Sequence, residues 1–135
     1  MRPRFYRGAA ALLSALIGSS ACGSDTATSP TTTTTSPVTE TWTGIIGPGG
    51  TASRSLTTSQ SGTITLTLTS SDASLGIGIG VPRTANGGCR LTVSQVAEAG
   101  GTISAPAETG AYCVQLFDDG AVGKQGTFAV QIVYP

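Results

Sequence analysis

The chain has 135 residues, with seven basic and seven acidic side chains, no histidine and 19 glycines, enough for one small domain. Charged residues make up 10%, under half the usual ~25%, so threonine and serine hydroxyls must keep the surface wet. The missing histidine excludes a Ser–His–Asp relay, and the plentiful Thr, Val, Ile and Gly lean towards strands joined by tight turns.

The first 21 residues read as an export signal. A basic start, "MRPRFYR", precedes the apolar run "GAAALLSALIG" at 8–18. As a helix that run covers about half of a ~30 Å hydrocarbon core, too short to span and long enough for a secretory signal. Ser19 and Ala21 place small residues before a cut ahead of Cys22. The stretch "IGSSAC" resembles a bacterial lipobox, whose cysteine carries diacylglycerol and becomes the mature N-terminus. Ser20 and Ala21 fit that pattern; Ser19 stands where a large aliphatic residue is usual. Cys22 therefore has three readings: a lipid anchor, the start of a chain cut by an ordinary signal peptidase, or a disulfide partner or free thiol.

Residues 22–41 read as a tether. "GSDTATSPTTTTTSPVTE" offers no apolar residue able to anchor a core before Val38, and Thr/Pro-rich chain stays extended and solvated. The lipobox resemblance implies a membrane partner reached through the lipid. In a Gram-negative cell, Gly23 after the cysteine resembles lipoproteins sorted to the outer membrane; otherwise the product is periplasmic or secreted. Without the signal, Arg54, Arg83, Arg90 and Lys124 face Asp25, Glu40, Asp72, Glu98, Glu108, Asp118 and Asp119, a balance of −3. That argues against nucleic acid as a partner.

From Trp42 to residue 135 the pattern is period two. In "GTITLTLTS", Ile64, Leu66 and Leu68 share one face and the threonines the other. "ASLGIGIGVP" alternates Leu75, Ile77, Ile79 and Val81 with glycine. "CRLTV" places Cys89, Leu91 and Val93 on one side. "GAYCVQLFDD" sends Tyr112, Val114 and Leu116 one way and Cys113, Gln115 and Phe117 the other. "GTFAVQIVYP" aligns Phe128, Val130, Ile132 and Tyr134. Further strands are expected near 41–46, 52–58 and 101–105. Turn signals lie at 47–50, 59–62, 70–72, 84–88, 98–101, 108–110 and 118–126; only 94–100 could make a helical turn, and it is too short to persist alone. About eight short strands read as an all-β, antiparallel, jelly-roll-like sandwich. The expected inward set adds Leu56 to the apolar residues above and leaves out Cys89, Cys113, Phe117 and Tyr134. Cys89 and Cys113, in one small exported domain, are expected to pair.

Three stretches carry a family likeness. "SGTITLTLTS", "ASLGIGIGVP" and "GAYCVQLFDDGAVGKQGTFAVQIVYP" resemble the bacterial pre-peptidase C-terminal domains over residues 42–135, including a late "G-x-Y-x-V" hairpin. The resemblance implies a non-catalytic module of the kind that accompanies secreted enzymes and surface proteins. The chain departs in the middle strand, where the family often has acidic residues and this sequence has Asp72 followed by alternating glycine.

No constellation points to catalysis, and no cofactor is implied. Lys124 sits among glycines with no serine nearby. "GIGIG" lacks the spacing of a dinucleotide fingerprint, and Pro82 blocks the helix that would hold a phosphate; its glycines read as places where something packs closely. Two thiols leave zinc two ligands short. Asp118 and Asp119 are calcium candidates, read first as a D-D-G turn. Trp42 is a candidate sugar platform, read first as a core plug. These features suggest a binding or structural module at the cell envelope, with a polysaccharide or an envelope protein as partner. The alternative is a carbohydrate- or peptide-binding accessory module related to those of secreted hydrolases.

Overall fold

The computed structural model describes residues 35–135. Eight strands run in order: β1 (Val38–Ile46), β2 (Thr51–Thr58), β3 (Gly62–Ser71), β4 (Leu75–Pro82), β5 (Cys89–Ala97), β6 (Thr102–Ala107), β7 (Gly110–Phe117) and β8 (Gly126–Tyr134). They form two antiparallel sheets, β1-β8-β3-β6 and β2-β7-β4-β5. Successive strands cross between the sheets except β4 and β5, which pair as a hairpin. This is a jelly roll, two Greek keys folded over one core.

The four central strands supply the dry layer. Ile64, Leu66 and Leu68 of β3, Leu75, Ile77 and Ile79 of β4, Val114 and Leu116 of β7, and Val130 and Ile132 of β8 are all but fully buried. Edge strands close the layer with smaller or mixed residues: Trp42 and Ile46 on β1, Ala52 and Leu56 on β2, Ile103, Ala105 and Ala107 on β6. Phe128, Ala97, Tyr134 and the loop residue Val122 also belong to it.

Three expectations are corrected. β1 begins at Val38, not near Trp42, because Val38 pairs with Tyr134 and each following residue adds a rung to β8. The segments 110–117 and 126–134 are not a hairpin, since β7 and β8 lie in opposite sheets. Leu91 does not face inward with Val93. Ile79 pairs with Val93 and Gly80 with Leu91, so Thr92 is an extra residue that turns Leu91 onto the outer face. Val81 keeps inward parity at the end of β4 but is 39% exposed.

Both bulges use threonine in the same way. Thr92 donates its hydroxyl to the Ile79 carbonyl at 3.0 Å. Thr69, the extra residue between Leu68 and Ser70 in β3, donates to the Ala129 carbonyl at 3.0 Å. In each case the side chain bonds to the strand that the bulge disturbs.

Glycine on the outer face of β4 makes room for its neighbours. A Cβ at Gly76 would stand 2.1 Å from the Phe117 ring, at Gly78 2.7 Å from Leu91, and at Gly80 2.0 Å from the Arg90 carbonyl oxygen. The close packing expected from the sequence is therefore present at all three.

A tyrosine corner fixes the β6–β7 crossing. The Tyr112 hydroxyl accepts the Glu108 N–H at 2.8 Å. Beside it, buried Thr58 accepts the Gly110 N–H at 3.1 Å and donates to the Glu108 carbonyl. Tyr112→Phe leaves the Glu108 N–H without this partner and is expected to cost about 1–2 kcal/mol in urea denaturation. An unchanged midpoint would show that water replaces the contact freely.

One side of the sandwich is held by charge. Glu40 on β1 accepts Arg54 of β2 at 2.7 Å and the Tyr134 hydroxyl at 2.6 Å, linking edge strands of opposite sheets. Inward-pointing charges on edge strands also discourage pairing with another chain. The Tyr134 hydroxyl, and then Arg54, hold the Glu40 carboxyl below its ordinary value of 4.5 against the opposing pull of burial. The same contact with Glu40 raises Tyr134.

A carboxyl depressed in the fold stabilises it fully above the unfolded value and loses that contribution as pH falls through the folded one. Melting temperature should therefore be level down to about pH 5 and fall below about pH 4. Glu40→Gln should flatten part of that fall while changing stability at pH 7 by less than ~1 kcal/mol, as expected for a half-exposed pair. A Glu40→Gln profile parallel to the parent's would remove this assignment.

Candidate functional site

A cleft of about 260 Å³ opens at the end of the sandwich where β1 ends and β4 begins. Three separate segments bring their residues to it. Ile46 comes from the last position of β1, Asp72 and Leu75 from the β3–β4 corner, and Val122, Lys124 and Gln125 from the β7–β8 loop. Ile46, Leu75 and Val122 are buried and apolar, whereas Asp72, Lys124 and Gln125 are exposed. The site is thus an apolar floor beneath a polar rim.

Each wall has a local cause. Asp118 shapes the β7–β8 loop: one carboxylate oxygen accepts the N–H groups of Gly120 (2.8 Å) and Val122 (3.0 Å), and the other accepts that of Gly49 (2.8 Å). The Asp118 N–H in turn donates to the Gly50 carbonyl at 3.0 Å. These bonds join the loop to the β1–β2 turn and direct Val122 into the core. The donors, Gly49 and Val122 foremost, hold the Asp118 carboxyl below its ordinary value of 3.8, so its contribution to stability is also lost on acidification. Asp118→Ala should lower the melting temperature at pH 7 and speed amide exchange at Val122. Exchange unchanged at Val122 would show that the loop holds itself.

Across the cleft, Asp72 accepts the Thr127 N–H at 2.8 Å and lies 3.3 Å from the Thr127 hydroxyl, both through Oδ2. Oδ1 accepts no hydrogen bond among the described residues. Gly126 makes that reach possible, since a Cβ there would lie 2.9 Å from Oδ2. Asp72 and Lys124 do not pair with each other: among the described residues the one ion pair is Arg54–Glu40.

The residues singled out in the sequence sit elsewhere or serve the scaffold. Cys22 lies outside the described residues. Cys89 and Cys113 are disulfide-bonded, with 5.8 Å between their Cα atoms. Trp42 is half-buried against the core, its ring edge-on to Phe128 at 5.1 Å and 81°. Asp118 braces the loop, and Asp119 accepts the Ala121 N–H at 3.3 Å. Among the described residues no group of three or more His, Cys, Asp or Glu side chains is placed to hold a metal ion. Sequence reasoning missed Asp72, Lys124 and the three floor residues as one site. The signal available was Val122, the only large aliphatic side chain in a polar, glycine-rich loop.

With this geometry in view, no protein-family model and no curated protein matches the chain. A solved structure does: Yersinia pseudotuberculosis-derived mitogen, with a TM-score of 0.56 at 11% identity, over 73% of this chain and 87% of that one. The likeness is one of fold.

Proposed function

We propose that this protein is an exported, lipid-anchored, non-catalytic module whose sandwich binds or supports another component at the cell envelope. The observation that carries the reading is the Cys89–Cys113 disulfide. Disulfides persist in oxidising compartments, and the 21 residues before Cys22 have the order of an export signal. Acylation of Cys22 fixes the chain to the membrane, with Gly23 directing it to the outer membrane in a Gram-negative cell. The Thr/Pro-rich segment after Cys22 links that anchor to the sandwich. The resemblance to pre-peptidase C-terminal domains supports a non-catalytic role, as does a sandwich with no histidine. The acidic balance of the mature chain favours a polysaccharide or an envelope protein over nucleic acid.

A second reading, a carbohydrate- or peptide-binding accessory module, is favoured by the cleft. Labelled palmitate tests the first: it should enter the parent and not Cys22→Ser, and only the parent should partition into detergent. A Cys22→Ser variant that partitions like its parent would remove the anchor.

A further inference from the structure

The cleft joins three properties that together specify a ligand. Its floor is apolar, built from Ile46, Leu75 and Val122. Its rim carries one carboxylate, Asp72, with Oδ1 unbonded among the described residues, and one ammonium, Lys124, outside any ion pair described. Its volume of about 260 Å³ lies just below the usual small-ligand range of roughly 300–1,000 Å³. A sugar chain or a long peptide could place no more than one terminal unit in that space. A simple anion would meet Asp72, and a simple cation would meet Lys124. A purely apolar molecule would leave both charges unused.

We propose that the cleft binds a small zwitterion with an apolar side chain, an α-amino acid of leucine size. Its side chain rests on Ile46, Leu75 and Val122, its ammonium group meets Asp72, and its carboxylate meets Lys124. Gln125 supplies an amide at the same rim. Charge-assisted hydrogen bonds are about twice as strong as neutral ones, so both ligand charges contribute, while the open rim keeps the affinity modest.

The proposal deepens the binding role and rests on it, but not on the anchor. An unacylated Cys22 would leave it standing, and absence of binding would leave the palmitate result unchanged.

The test is an amide-shift titration of the isotope-labelled chain, as its host processes it, with four probes: L-leucine, leucinol, 4-methylpentanoate and glycine. Leucine should move the amides of Ile46, Leu75 and Val122. Leucinol, lacking the carboxylate, and 4-methylpentanoate, lacking the amine, should each bind roughly tenfold more weakly, and glycine should not register. Lys124→Gln should weaken leucine about tenfold and leave leucinol as it was. Asp72→Asn should weaken leucine and spare 4-methylpentanoate. No shift at these amides with tens of millimolar leucine would overturn the proposal. So would analogues that bind as tightly as leucine, or leucine binding that survives both substitutions.

Discussion

Gly80→Ala should lower stability by about 3 kcal/mol, although alanine in a strand would ordinarily help by restricting the unfolded chain. The added Cβ would stand 2.0 Å from the Arg90 carbonyl oxygen and 2.7 Å from the Leu91 Cα. Both are backbone atoms of β5, fixed by pairing with β4 on either side of the Thr92 bulge. Relief would require the hairpin to separate.

Gly76→Ala provides the contrast, because its Cβ would meet the Phe117 ring at 2.1 Å. That ring is half-exposed and can swing outward, so the cost should be nearer 1–2 kcal/mol. Phe117→Leu should recover part of it, whereas no side-chain change should rescue Gly80→Ala. Urea unfolding measures all three. A Gly80→Ala midpoint equal to the parent's would mean that β4 and β5 are not packed this closely.

The second large effect is the disulfide. Cys89 and Cys113 are 24 residues apart, and closing a loop of about 25 residues is worth roughly 3.5 kcal/mol in the chain-entropy model. Cys89→Ser and Cys113→Ser should destabilise equally, and the double variant should add nothing. The bridge joins the start of β5 to β7 on the outer face of one sheet, so its loss should leave the core's spectroscopic signature intact at low temperature. Losses that add in the double variant would mean that each sulfur acts separately.

The sequence made the central strands legible and the edges less so, for a physical reason. β3, β4, β7 and β8 are buried on their inner face by large aliphatic residues, and threonine, glycine or glutamine separates these at every second position. β2 and β6, "TASRSLTT" and "TISAPA", present alanine, arginine and threonine to the interior as well as Leu56 and Ile103, so the alternation carries little contrast. The bulges were hidden for a different reason. Leu91-Thr92-Val93 reads as unbroken alternation, and only pairing with β4 reveals that Thr92 is the extra residue. Neither the Glu40–Arg54–Tyr134 link nor the cleft could be read from one stretch. The first joins residues 94 positions apart, and the second is assembled from three turns that meet only after the sheets close. The cysteine pair was legible because reading the first 21 residues as an export signal leaves few alternatives for two thiols in one domain.

Intact-mass measurement on protein from fractionated cells tests the central claim most directly, namely a disulfide-closed sandwich held outside the cytoplasm by a lipid on Cys22. The account predicts a membrane-fraction species that starts at Cys22, carries the mass of a diacylglycerol group, and is two hydrogens lighter than its reduced form. An unprocessed chain starting at Met1 in the cytosol, with three free thiols, would contradict it.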